Sequence, residues 1–129
     1  MGFFDKLFSG DEKPNEISKL NWINLENLKQ LDDINAQSFS IPVVIFKHST
    51  SCSVSRMALK NFEREFDISN STIVLYFLDL LSFRAISNQI ALDYQVVHQS
   101  PQLILIKNAV SVYNVSHSDI DAQDLKNQI

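Results

Sequence analysis

Residues 46–55, Phe-Lys-His-Ser-Thr-Ser-Cys-Ser-Val-Ser, hold the only cysteine of the chain, Cys52, among five hydroxyl residues: Ser49, Thr50, Ser51, Ser53 and Ser55. A lone thiol is often a small apolar filler, but a buried structural cysteine usually has apolar neighbours, and these are polar. The types therefore point to a thiol that reacts. The apolar run Ile41 to Phe46 precedes it, and Val54, Met57, Ala58, Phe62 and Phe66 follow at helical intervals. Cys52 thus falls where a strand ends and a helix begins. The unpaired N–H groups of a first helical turn, with the positive end of the helix dipole, favour thiolate over thiol, and thiolate is the nucleophile. Ser53, Val54 and Ser55 are the expected thiolate-stabilising residues, Ser55 either donating its hydroxyl to the sulfur or capping the helix. Lys47 and His48 bring positive charge close by, although strand alternation sends them to opposite faces.

Other chemistries find less support. Cys52 with His48, His98 and His117 shows no metal-ligand spacing. No sequence feature sets a histidine against Cys52 as in a hydrolytic Cys–His pair. The glycines are Gly2 and Gly10 alone, which excludes phosphate-binding loops. With 11 basic and 15 acidic residues the net charge is −4, and the basic residues do not cluster, so no nucleic-acid partner is expected. No apolar run approaches the roughly 18 to 20 residues that span a bilayer. The start, MGFFDKLFSGDEKP, is a poor secretory signal, and Lys6 stands where a myristoylation pattern needs Ser or Thr. Phe3, Phe4, Leu7 and Phe8 have helical spacing; with one lysine among them, docking on the domain is favoured over membrane contact. A single cysteine cannot close an internal disulfide, which fits a reducing, cytoplasmic setting.

The elements that must position Cys52 follow from periodicity. Leu20 to Ile23 reads as a short edge strand. Asn24 offers an N-cap for a helix with Leu25, Leu28, Leu31 and Ile34 on one face, ending near Ser38. Ile41 to Phe46 is a buried strand with proline near its beginning. A helix from about Cys52 to Phe66 comes next, then the β-rich run Thr72 to Leu78. Ser82 is placed to cap a third helix running to about Asp93, with Ile86, Ile90 and Ala91 inward. Gln102 to Lys107 and Val110 to Val115 form a hairpin across Asn108-Ala109, and a capped helix from Ser118 closes the chain. The order β-α-β-α-β-α-β-β-α predicts a mixed sheet flanked by helices, an α/β fold in one domain.

The second landmark is Val97-His98-Gln99-Ser100-Pro101-Gln102, where a cis X-Pro bond would turn the chain sharply and leave backbone groups open to a bound peptide. Together the landmarks carry a resemblance. Lys47-His48-Ser49-Thr50, Cys52, Val54-Ser55, Arg84 to Asn88, Val97-His98, Ser100-Pro101-Gln102 and Ser116 to Ile120 resemble the YtxJ-like monothiol bacilliredoxin family, over about residues 21 to 121. The resemblance implies a thioredoxin-like domain at 17–129, behind an amphipathic or flexible segment at 1–16. It implies Cys52 as nucleophile, Pro101 as a facing cis-proline and Ser100 presenting backbone to substrate. The family is linked to removing bacillithiol from mixed disulfides on proteins. Its pattern has proline directly after the cysteine, where this chain has Ser53, and a glycine in the closing hairpin, where it has Asn108-Ala109.

On that footing Cys52 would attack the small-thiol sulfur of an S-thiolated client protein. Ser55 stands where a resolving cysteine would sit, so a second thiol or a reductase must finish the cycle. No tightly bound cofactor is implied; bacillithiol is the co-substrate, with glutathione as the alternative small thiol. Arg84 and Lys47 are the expected grips for the carboxylates of bacillithiol's malate moiety, as substrate-binding residues beside Ser100 and Pro101. The competing reading is a thioredoxin-fold binding module or redox-responsive adaptor without turnover. Iron–sulfur handling ranks last, because monothiol glutaredoxins carry glycine and an aromatic where this chain has Ser53-Val54.

Overall fold

The computed structural model describes residues 20–129, so the segment at 1–16 with its phenylalanines lies outside the described residues. The elements are β1 (Trp22–Asn24), α1 (Gln30–Gln37), β2 (Val43–His48), α2 (Ser53–Glu65), β3 (Val74–Asp79), α3 (Arg84–Tyr94), β4 (Gln102–Lys107), β5 (Val110–Ser116), a 3-10 turn (His117–Asp119) and α4 (Ala122–Lys126). The strands form one five-stranded sheet in the order β1-β3-β2-β4-β5. β1 and β2 run parallel to β3 on either side of it, and the β4–β5 hairpin joins antiparallel beside β2. This is the predicted mixed sheet with helices on both faces.

β2 is buried at all six positions, as a central strand covered on both sides must be. Its alternate residues feed two cores. Val44 and Phe46 pack with Leu75, Leu103, Leu105, Phe62 of α2 and Leu125 of α4. Val43 and Ile45 pack on the other face with Leu78, Ile104, Ile106, Ile34 of α1 and Ile90 of α3. An aromatic cluster of Trp22, Phe46, Phe62 and Phe77, with ring centroids 5.7 to 6.0 Å apart, fixes α2 against the sheet. The Trp22 indole N–H donates to Glu63 of α2 at 2.7 Å.

Several boundaries differ from expectation for identifiable reasons. Asn24 does not cap the first helix: Leu25 N–H still bonds Phe77 O, prolonging the strand-like pairing, and Gln30 N–H donates to Asn27 Oδ1 at the later start of α1. Leu28 therefore faces solvent at 52% exposure. Ser82 does not cap α3 either; its hydroxyl donates to Asp79 at 2.9 Å, and Phe83 occupies the cap position. Ser118 lies in the 3-10 turn, and Asp121 caps α4 by accepting from Gln123 N–H and Asp124 N–H. Met57, expected inward, is 59% exposed.

The hairpin turn keeps positive φ at both central residues, 54° at Asn108 and 63° at Ala109. Asparagine tolerates this region, as expected; alanine does so at a cost. The turn is held from outside, since the Ser38 carbonyl accepts from Asn108 N–H and the Ser38 hydroxyl from Ala109 N–H. Replacing Ala109 with Gly is expected to raise stability by about 1 kcal/mol, read from the urea midpoint, because glycine bears no Cβ penalty at this angle.

Candidate active site

Three chain segments emerge at one edge of the sheet. β2 ends at His48 and leads into the loop that carries Cys52. β3 ends in parallel register beside it, His48 opposite Asp79, and leads to α3. β4 runs the other way, so its start at Gln102, opposite Lys47, brings the preceding loop to the same edge. That loop contains the cis bond Ser100-Pro101.

Cys52 is the N-cap of α2, partly exposed, with extended backbone (φ −106°, ψ 123°). Its carbonyl accepts the first bond of the helix, from Arg56 N–H at 3.1 Å. The N–H groups of Ser53, Val54 and Ser55 form the first turn, where no carbonyl precedes them in the helix. The sulfur itself makes no capping hydrogen bond. Ser53 and Val54 are exposed beside it.

Ser55 is fully buried and has turned away from the thiol. Its hydroxyl oxygen accepts from Ser49 N–H at 3.0 Å and lies 2.7 Å from His48 Nδ1. Burial holds His48 below the ordinary histidine value; the Asp79 carboxylate opposes this and Arg56 reinforces it. In neutral His48 the chain of donors runs Ser49 N–H to Ser55 Oγ, then Ser55 O–H to His48 Nδ1. This ties the strand, the Cys52 loop and α2 together. Ser55→Ala strips two buried groups of their partner and is expected to cost about 1–3 kcal/mol in urea denaturation.

Lys47 points to the other face, as alternation requires. It is completely buried, so the expected carboxylate grip by its ammonium at the surface is not what the fold provides. Lys47 Nζ donates to Ser87 O at 3.2 Å and to His98 Nδ1 at 3.3 Å, linking β2 to α3 and to the loop before the cis-proline. Burial lowers its pKa from 10.5 to about 8. Arg84, the first residue of α3, is exposed, and its charge acts on His98 together with that of Lys47. Ser100 keeps its hydroxyl buried without a partner, and Pro101 is buried.

On the α2 flank of Cys52 lies a groove of about 400 Å³, lined by Ser53, Val54, Met57, Ala58, His117 and Ile120 among others. Val54 and Met57 are each more than half exposed in it. His117 N–H bonds Pro101 O at 3.0 Å, which joins this groove to the cis-proline loop. Sequence reading missed the groove, because Val54 and Met57 share a helical period with true core residues. It also missed the linkage of Lys47 to His98, 51 residues apart; the only local signal was a histidine two places before Ser100-Pro101. No cluster of three metal-ligating side chains occurs among the described residues. No helix among them is long and apolar enough to cross a membrane.

The family described as monothiol bacilliredoxin BrxC matches residues 23–125. Among solved structures, a thioredoxin-fold protein proposed to be an oxidoreductase superposes with a TM-score of 0.70 at 27% identity, over 82% of this chain and 91% of its own. The thioredoxin Mala s 13 of Malassezia sympodialis gives 0.64 at 18%, over 87% and 90%. Mitochondrial thioredoxin 3 of Saccharomyces cerevisiae gives 0.62 at 16%, over 82% and 91%. The last two show the fold.

Lys47 makes folding pH-dependent in a defined direction. Below about pH 8 the lysine is charged in both states, and the folded chain bears the full cost of burying it. Between about 8 and 10.5 the folded state has shed a proton that the unfolded state keeps, so folding gains as pH rises. Tyr94, pushed up to about 12, acts oppositely only above the ordinary tyrosine value of 10.0. From about pH 7 to about pH 9.5 the difference in urea midpoint between wild type and Lys47→Met is expected to shift in favour of wild type.

Proposed function

We propose, for a chain that belongs to the monothiol bacilliredoxin family, that Cys52 removes bacillithiol from S-thiolated client proteins. Family and fold make the chain a thiol–disulfide oxidoreductase with one cysteine. The adduct, the residue roles and a cytoplasmic setting are the proposal. The single observation that carries it is the placement of Cys52: partly exposed, at the N-cap of α2, at the sheet edge shared with cis Ser100-Pro101.

Cys52 thiolate attacks the small-thiol sulfur of the mixed disulfide. The new bond joins Cys52 to that sulfur, the old bond breaks, and the client leaves as thiolate. Both electrons of the old bond depart with the client, so no outside oxidant or reductant enters this step. The N–H groups of Ser53, Val54 and Ser55 stabilise the attacking thiolate through the helix terminus. Ser100 and Pro101 present backbone to the disulfide. Arg84, exposed on the first turn of α3, is available for a carboxylate of the small thiol. The groove along Val54 and Met57 takes the client chain, since it begins at Ser53, next to the thiol residue, and is walled by exposed apolar side chains.

Ser55 contains no thiol to expel the adduct. A second small thiol therefore attacks the outer sulfur of Cys52–S–S–R, releasing R–S–S–R and Cys52 thiolate; a reductase thiol attacking the same sulfur restores Cys52 and carries R away as its own mixed disulfide.

The test uses one client blocked by bacillithiol and, in parallel, by glutathione, with intact mass read on the reduced protein afterwards. A bacillithiol adduct on Cys52 is expected, and Cys52→Ser should form none. Equal adducts from both thiols would make it a general monothiol reductase. Adducts from neither would overturn the reading in favour of a binding module. Met57→Glu is expected to raise KM for the protein client about tenfold, while a small dipeptide adduct reacts as before.

A further inference from the structure

The loop before the cis-proline holds a histidine whose protonation is decided by its neighbours. His98 Nδ1 lies 3.3 Å from Lys47 Nζ and 3.4 Å from the Ser87 hydroxyl. An ammonium has three donors and no acceptor. While Lys47 is charged, below about pH 8, Nδ1 is therefore the acceptor, which leaves the imidazole neutral with its proton on Nε2. Lys47 is fully buried and also anchored on Ser87 O, so the donor behind His98 is fixed. His98 itself is exposed, so the ring's other edge is open to a ligand.

The groups facing this ring come from two elements, Lys47 from β2 and Ser87 from α3. The charges acting on it are Lys47 and Arg84, both positive. Two residues on, Ser100 Oγ is buried without a partner, hydrogen-bonding capacity that the described protein does not meet. The loop reaches the edge where Cys52 emerges, because Gln102 pairs with Lys47 and Pro101 O is tied to the groove beside Ser53.

We propose that His98 is a ligand-contacting residue of the Cys52 site, its Nε2–H a donor for a carboxylate on the small thiol, with Lys47 behind it as the positioning residue that fixes this tautomer. The assignment deepens the reading in which Cys52 accepts a small thiol, and it rests on that reading. It gives the substrate a chemical class: a thiol carrying an anionic carboxylate. A neutral or cationic thiol gains nothing from this side of the site. Arg84 adds the long-range field, and the neutral His98 adds direction, since its N–H points where the fold holds it.

The experiment compares two mixed disulfides of one client peptide, one formed with mercaptosuccinate and one with 2-mercaptoethanol, on the full chain. The ratio of their kcat/KM values is the readout. Wild type is expected to favour mercaptosuccinate, and His98→Ala to lower that ratio about tenfold, as loss of a charge-assisted hydrogen bond would. His98→Gln keeps an N–H donor and should restore part of the ratio. In long-range proton–nitrogen spectra, wild type should show the proton on Nε2, and Lys47→Met should mix the two tautomers. A ratio unchanged in His98→Ala, or a proton on Nδ1 in wild type, would overturn the proposal while exchange at Cys52 stands. If wild type reacts with neither adduct, the exchange reading fails. Succinate titrated into Cys52→Ser protein then decides the carboxylate site alone: movement of the His98 ring signals supports it, and no movement overturns it.

Discussion

The end of β2 imposes the constraint on which the site depends: a strand buried over its whole length finishes in two polar residues, Lys47 and His48. Neither can reach water along the strand, so each must find partners inside. Alternation sends them to opposite faces, and each meets a different part of the site. His48 meets Ser55 in the first turn of α2. Lys47 meets Ser87 in α3 and His98 before the cis-proline. The need to satisfy two buried polar side chains thus ties the nucleophile's helix and the opposing loop to the same central strand. Apolar residues at 47 and 48 would fill the space and leave both loops unanchored.

Ser55 shows how one substitution of chemistry redistributes roles. A cysteine three residues after the nucleophile would face it as a resolving thiol; the serine faces His48 and Ser49 instead. The hydroxyl contributes packing and hydrogen bonds, and the reaction is left without an internal leaving-group partner. A cycle begun by Cys52 would then be closed by an external thiol, which a single cysteine in the chain requires independently. Ser53 is a separate departure, from the family's proline. Proline there would fix the first helical turn, whereas serine keeps an N–H at the position closest to the thiol.

Much of this was legible in the sequence where one physical signal acted alone. The apolar run ending at Phe46 and the helical period after Cys52 placed the thiol at a strand-to-helix turn, and the structure puts it at the N-cap. The element order came out whole because each buried strand is a continuous apolar block. Boundaries failed where two signals competed. Asn24 is a good cap, but Leu25 N–H had a partner in β3, and a ladder bond outweighed the cap. Ser82 is a good cap too, but Asp79 three residues earlier took its hydroxyl. Met57 and Val54 sit on a helical face with Ala58, and periodicity alone cannot tell a core face from a groove wall. The Lys47–His98 contact was illegible for a different reason: it depends on register between β2 and β4, which no local pattern encodes.

On the proposed reading, the two faces of β2 would also divide the substrate. A mixed disulfide has two unlike halves, a protein chain and a small polar thiol, and a thiolate that must choose one sulfur needs them held on different sides. The α2 side of Cys52 is an apolar groove walled by Val54 and Met57. The α3 side carries the exposed Arg84 and His98, with Lys47 buried behind His98. A client lying in the first and a carboxylate drawn to the second would set the disulfide across the thiol with the small-thiol sulfur toward the cis-proline. Attack then falls on that sulfur, and the client is the group that leaves. Selection of the attacked sulfur, the step that separates releasing a client from trapping it, would on this reading follow from the alternation of one strand.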